Sequence, residues 1–177
     1  MKLFIAIELL KPMKREISKA LQELKLRSTG GKFVKNENLH ITLHYIGEST
    51  DLMGAVDAMK RAAQGIRPFA LRPSRYDFFE KSGHKTSFIA VDGQLKELEI
   101  LRESLECALS DNGFAREYKR FIPHITLGRN VEHDELTTIE MQSIKFNSEM
   151  LVREITLFES IKENGKIAYI PLHRESF

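Results

Sequence analysis

Cysteine is almost absent: Cys107 is the only one in 177 residues. No intramolecular disulfide can form, and no zinc knuckle can be assembled from thiolates. A reducing, cytoplasmic setting is the expectation. An excess of charge of one sign is missing as well. Lys plus Arg number 27 against 25 Asp plus Glu, a net charge of +2. That balance excludes a protein that coats nucleic acid by charge alone, and it leaves room for a local basic patch. No apolar stretch approaches the roughly 18 to 20 residues that a membrane helix needs. Glu8 interrupts the first apolar run too early for a signal peptide. No low-complexity tract or Gly/Ser/Pro-rich linker splits the chain. What remains is ordinary globular material, 42% hydrophobic and 29% charged, which argues against disorder. At about 150 residues per domain the length predicts one domain with a real core. A monomer inside the cell, away from membranes, is expected.

The hydrophobic pattern predicts the elements. Leu3, Ile5 and Ile7 alternate with Lys2, Phe4, Ala6 and Glu8, the period of a half-buried strand. Pro12 suits a first helical position. Met13, Ile17, Leu21 and Leu24 then form a helical stripe that ends near Gly30-Gly31. A second strand is expected from about 38 to 46. After it comes a helix capped by Thr50 or Asp51, with the stripe Leu52, Val56, Met59 and Ala63. Short strands are expected at 76–79 and 86–91, and a third helix from about 94 to 110. Within that helix Cys107 reads as a buried small apolar residue. A strand near 120–128, a short helix near 134–141 and a strand near 151–159 follow. Asn164-Gly165 then predicts a hairpin into 166–172. Interleaved strands and helices with hairpin connections predict an α+β fold.

One four-residue word occurs twice. His40-Ile41-Thr42-Leu43 returns 84 residues later as His124-Ile125-Thr126-Leu127. With six histidines, a chance recurrence has odds of roughly 0.4%. Each copy sits in a strand-like run, which predicts an internal duplication: residues 1–177 as one domain of two pseudo-equivalent lobes, one carrying His40-Thr42 and the other His124-Thr126. On a strand, residues two apart share a face about 6.6 Å apart. His40 with Thr42, and His124 with Thr126, therefore project together into one cleft between the lobes.

In-line displacement at phosphorus needs that arrangement, with attacking and leaving oxygens at opposite apices. One imidazole takes a proton from water and the other gives one to the departing alkoxide. Histidine can do both near neutral pH. The threonine hydroxyls can hold the non-bridging oxygens. The two words are locally identical, so the residues alone do not tell acid from base.

These motifs resemble the two-histidine phosphoesterases, and within them the RNA 2′,3′-cyclic phosphodiesterases historically called 2′-5′ RNA ligases. The resemblance rests on Leu3-Phe4-Ile5-Ala6-Ile7, the run Phe33 to Glu48, and Pro123-His124-Ile125-Thr126-Leu127-Gly128-Arg129. It implies a bilobal fold of two mostly antiparallel sheets flanked by helices. It also implies hydrolysis of a 2′,3′-cyclic phosphate to a 2′-phosphate, with reversible 2′-5′ ligation as a minor reaction. His40 then corresponds to the proton donor, His124 to the acceptor, and Thr42, Thr126 and Arg129 to the phosphate ligands. Phe33 departs from the tryptophan that many relatives carry. Two other readings stand beside this one: a cyclic phosphodiesterase of ADP-ribose-type small nucleotides, and an RNA-end or nucleotide-binding module without turnover.

Plainer roles compete at several further residues. Arg129 has the opposite strand parity to His124, so a bulge must turn it inward. His44 shares the parity of His40 but has no counterpart near His124, so neither a metal nor another cofactor is expected. Phe4 reads as core or as a cleft wall. His84, His133 and His173 read as surface residues, and Arg116, Lys119 and Arg120 as either an RNA guide or a solvated face.

Overall fold

The computed structural model describes residues 1–177. The alternation at the start becomes β1 (Lys2–Glu8), buried on both faces. Leu3, Ile5 and Ile7 enter the main core, while Phe4 and Ala6 join Phe158 in a smaller cluster on the opposite face. α1 (Lys11–Arg27) follows with Pro12 in its first turn and the predicted stripe buried. The Gly30-Gly31 pair does not end this helix, which stops at Ser28; the glycines open a short strand, β2 (Gly30–Phe33). A single 3₁₀ turn, Asn36–Asn38, leads into β3 (His40–Glu48).

α2 (Leu52–Ala63) is capped by the Asp51 side chain, which accepts from the Gly54 N–H at 2.9 Å. Its buried face is Ala55, Ala58, Met59, Ala62 and Ala63, rotated from the expected Leu52–Val56 stripe. Small residues face inward because α2 lies directly on α3 (Leu95–Asp111). Between them run β4 (Phe69–Lys81) and β5 (His84–Gly93), longer than the predicted fragments. β6 (His124–Glu132), α4 (Glu135–Gln142), β7 (Met150–Val152), β8 (Glu154–Glu163) and β9 (Lys166–Ser176) complete the chain. Asn164 and Gly165, both at positive φ, close the expected β8–β9 hairpin.

The fold is α+β, and all its strand pairs are antiparallel. The two expected sheets are joined into one. Its order is β7-β4-β5-β6-β3-β1-β8-β9, with β2 added on β6. The joint is a single residue pair, Ile41 opposite Ile125, which are the same position in the two copies of the word. Two runs of two helices and four strands follow one another, β-α-β-β-α-β from β1 to β4 and β-α-β-α-β-β from β5 to β8. β4 pairs with β5 and β8 with β1, so each closing strand lies on the opening strand of the other run. One contiguous core of 34 buried residues extends through both halves, so neither half is an independent domain.

Candidate active site

The Ile41–Ile125 pair fixes the geometry. Its antiparallel register sets His40 beside Thr126 and Thr42 beside His124. Ile41 and Ile125 are fully buried, so by strand alternation the two histidines and two threonines share the opposite face. That face carries a cleft of about 460 Å³ lined by His40, Thr42, Thr126 and Arg129, with Phe4, Phe33, Tyr45 and Tyr169 among its aromatic walls. His124 stands beside this cleft without lining it. Its ring is flanked by Phe88 at 5.2 Å and Phe79 at 5.4 Å.

Both imidazoles are held alike. His40 Nδ1 lies 2.7 Å from the Asn38 carbonyl, and His124 Nδ1 lies 2.6 Å from the Ile122 carbonyl. A carbonyl only accepts, so each Nδ1 carries the proton and each Nε2 is left for proton transfer. His40 Nε2 is 2.9 Å from Thr42 Oγ1. Phe4 and Tyr169 pack against the His40 ring at 5.1 and 5.3 Å. Burial lowers both histidine pKa values from their ordinary range. The carbonyl hydrogen bonds oppose this, and the positive charge of Arg129 adds to it at both rings. At His40 the charge of His124 pushes the same way, which records how close the two groups are.

One irregularity explains three side chains. Along β1 and β3, Ala6 faces Thr42 but Ile5 faces His44, so β3 carries an extra residue after Thr42. Along β5 and β6, Phe88 faces Thr126 but Ser87 faces Gly128, the same bulge at the same place in the second word. Each bulge reverses strand parity beyond it. Arg129 thereby returns to the cleft side, as its parity required. Tyr45, five residues after His40 as Arg129 is after His124, also lines the cleft. His44 is turned the other way, into the core.

There His44 is nearly inaccessible and hydrogen-bonded through Nδ1 to buried Glu106 of α3. Arg102 bridges Glu106 at 3.4 Å and Glu117 at 3.3 Å, and it lies over the Phe121 ring. Glu117 also accepts from the Tyr45 N–H, and Glu106 from the Glu117 N–H. His44, Glu106 and Glu117 bring three ligand-type atoms within 4.8 Å of one another. The guanidinium of Arg102 already supplies the cation among them, and no buried side-chain polar atom in the molecule lacks a partner. At the matching position of the second word stands Gly128. A Cβ there would meet Val131 at 2.9 Å, Phe33 at 3.0 Å and the Lys32 carbonyl at 3.1 Å. Glycine lets β2 lie close to β6 at this position.

Sequence reasoning missed Tyr45, Tyr169, Asn38 and the cleft lysines Lys32, Lys35 and Lys166. Only Tyr45 carried a signal, its spacing from the histidine. Asn38 fixes His40 through its carbonyl, and its side chain donates to the Ile167 carbonyl at 3.1 Å. Arg116, Lys119 and Arg120 are not among the cleft residues, and Arg116 is paired with Glu103. Cys107 is exposed rather than buried. α3 buries Arg102 and Glu106 instead, which displaces its inner face from the leucine stripe alone. His133 binds the buried Tyr76 hydroxyl at 2.6 Å and His173 binds Glu175 at 2.8 Å; both are accounted for within the fold. No helix is long and apolar enough to cross a membrane.

Comparison with known proteins agrees along the chain. A Thermotoga maritima protein named RNA 2′,3′-cyclic phosphodiesterase is 30% identical over 131 residues, covering 73% of this chain and 70% of its own. Proteins of the same name are 31% identical over 164 residues in Archaeoglobus fulgidus, covering 91% of this chain and 92% of theirs, and 27% identical over 172 in Methanocaldococcus jannaschii, covering 94% and 96%. The crystal structure of TT0787 of Thermus thermophilus matches at TM-score 0.80 and 23% identity, covering 99% of this chain and 97% of that one. Apo LigT of E. coli matches at 0.74 and 23%, covering 99% and 96%. At such identity these structures speak for the fold. The model of the 2′-5′ RNA ligase superfamily matches residues 13–164, and the chain belongs to that superfamily.

Proposed function

We propose that this protein is a metal-independent phosphodiesterase that opens a 2′,3′-cyclic phosphate at an RNA end to a 2′-phosphate. His124 Nε2 takes the proton of a water that attacks phosphorus. His40 Nε2 gives its proton to the departing 3′ oxygen, and the P–O3′ bond breaks as the new P–O bond forms. Thr42 and Thr126 hydroxyls donate to the non-bridging oxygens, and Arg129 neutralises their charge. In reversible 2′-5′ ligation at the same site a 5′-hydroxyl replaces water as the nucleophile, so the P–O3′ bond breaks as a 2′-5′ phosphodiester forms. The relatives' shared name and the family of the chain support the activity.

The observation that carries the reading is the matched pair of Nδ1–H to carbonyl hydrogen bonds. Two imidazoles with fixed tautomers and reactive Nε2 atoms are what paired acid–base catalysis requires. A binding module has no need of them. Burial favours the neutral ring that the base needs. A bound phosphate anion offsets the charge of Arg129 at His40 and favours the charged ring that the acid needs. The two halves are, in our reading, pseudo-equivalent lobes. Their similar element order, with the histidine strand after the first helix in each, and their matched bulges support this. A monomer in the reducing cytoplasm completes the proposal, which the free, exposed Cys107 thiol suits.

An oligonucleotide ending in a 2′,3′-cyclic phosphate, incubated with the protein and EDTA, tests the function. Conversion to the 2′-phosphate is expected. Unchanged substrate, a 3′-phosphate product, or loss of turnover with the chelator would reject it. Parallel turnover of an ADP-ribose cyclic phosphate separates the small-nucleotide alternative.

A further inference from the structure

The charge lining the cleft is one-sided. Lys32, Lys35, Arg129 and Lys166 line it, and no Asp or Glu does. Elsewhere six arginines, Arg27, Arg61, Arg72, Arg102, Arg116 and Arg174, each face a carboxylate within ion-pair distance, while the lysines of the chain take part in no ion pair. None of the four cleft cations takes part in an ion pair. In a chain of net charge +2, four cations and no carboxylate around one cleft raise the local potential for an anion.

One phosphate does not account for all four. Arg129 lies beside Thr126 and serves the reacting group. Lys32 sits directly opposite Arg129 on the neighbouring strand, about 5 Å away across the ladder. Lys35 precedes the 3₁₀ turn, and Lys166 opens β9 after the Asn164-Gly165 turn. The Asn38 side chain ties these two segments together through the Ile167 carbonyl. Lys32 therefore lines the cleft beside Arg129, and Lys35 and Lys166 line it from two segments held in fixed relation.

We infer that Lys32, Lys35 and Lys166 form a second-phosphate subsite that binds the phosphate on the 5′ side of the reacting ribose. This rests on the hydrolytic reading above and narrows it. The preferred substrate carries at least one phosphate beyond the cyclic one. In an RNA chain that group is the preceding phosphodiester; in a small nucleotide it is a 5′-phosphate.

Three probes separate these sources: a nucleoside 2′,3′-cyclic phosphate, the same compound with a 5′-phosphate, and a dinucleotide with a cyclic-phosphate end. Turnover and equilibrium binding are measured for the wild type and for the Lys32→Ala/Lys35→Ala/Lys166→Ala variant. The subsite predicts kcat/KM at least tenfold higher for both phosphate-bearing probes than for the bare one. The gain should steepen the salt dependence by about 0.7 in log–log slope per phosphate contacted. In the triple variant the ratio of dinucleotide to bare probe should fall at least tenfold. A gain with the dinucleotide alone assigns the subsite to an RNA chain, and an equal gain with the 5′-phosphate assigns it to the phosphate group itself. Equal kcat/KM for all three probes, or a ratio the triple variant leaves unchanged, overturns the subsite. If nothing is hydrolysed but affinity still rises with the extra phosphate and falls in the variant, the hydrolytic reading fails and the subsite stands. If binding too ignores both changes, the subsite fails with it.

Discussion

His40 and His124 begin the same four-residue word, yet their surroundings differ. The His40 ring is enclosed by Phe4 and Tyr169, and its Nε2 is bonded to Thr42. Behind its strand, a buried His44–Glu106–Arg102 network ties β3 to α3. The His124 ring rests on Phe88 and the partly exposed Phe79. At the place of His44 its strand has Gly128, with Phe33 and the Lys32 backbone of β2 close against it. What the two share is confined to the atoms that handle protons: the carbonyl two residues back, the threonine two residues on, and the bulge that follows. The repeated word therefore marks shared chemistry, while the unshared residues set how each strand is held.

The comparison breaks first if the shared atoms do not matter equally. His40→Ala and His124→Ala should each lower kcat by about 10² to 10⁴. The double variant should be little worse than either, because the pair acts as a unit. Steady-state kinetics on a cyclic-phosphate oligonucleotide, with unchanged circular dichroism, checks this.

The unshared backing should separate the halves in stability. Glu106→Leu strands Arg102 and His44 without their buried partner and should cost about 3–5 kcal/mol. Gly128→Ala forces contacts near 3 Å onto Phe33 and the Lys32 backbone, and should cost about 1–3 kcal/mol. Urea unfolding measures both. Equal losses would erase the distinction between a strand backed by a charge network and one backed by a close-packed glycine.

Arg129 lowers both histidines, so Arg129→Gln should raise both. With both values below the ordinary imidazole pKa, the kcat/KM profile of the wild type should peak on the acid side of about 6.5. In Arg129→Gln that peak moves to higher pH as kcat/KM falls. A lower rate at an unmoved optimum would confine Arg129 to substrate binding.

The smallest effect is on stability against pH. A histidine whose folded pKa is depressed contributes stability above its unfolded pKa, and that contribution is lost as pH falls through the folded value. Thermal unfolding should therefore show destabilisation below about pH 6.5, and His40→Gln should shallow the slope. An unchanged slope would mean that His40 burial carries no linkage.

Much of the fold was legible because its signals are local. The period of two in Leu3, Ile5 and Ile7, the stripe from Met13 to Leu24, and Asn164-Gly165 each declare their element within a few residues. What was hidden depends on distant partners. The inward face of α2 is set by α3 lying on it, so its alanines outrank Leu52 and Val56. Arg102 and Glu106 look like solvent-facing charges until His44 and Glu117 meet them, and recognising them would have left Cys107 outside. The repeat marked His40, Thr42, His124 and Thr126 in the sequence, and the off-parity Arg129 asked for a bulge. The companion bulge that delivers Tyr45 and buries His44 was not legible, since an extra strand residue shows only against its neighbour. Lys32, Lys35 and Lys166 are scattered in sequence and come to line one cleft only after folding.

The most direct test is the pH dependence of kcat/KM for the wild type and both single alanine variants on a cyclic-phosphate oligonucleotide. The base must be neutral, so its limb rises with pH; the acid must be charged, so its limb falls. The wild type should be bell-shaped, with His124→Ala losing the rising limb and His40→Ala the falling one. A bell that survives either substitution, or the same limb lost in both, would contradict the division of labour between the two rings.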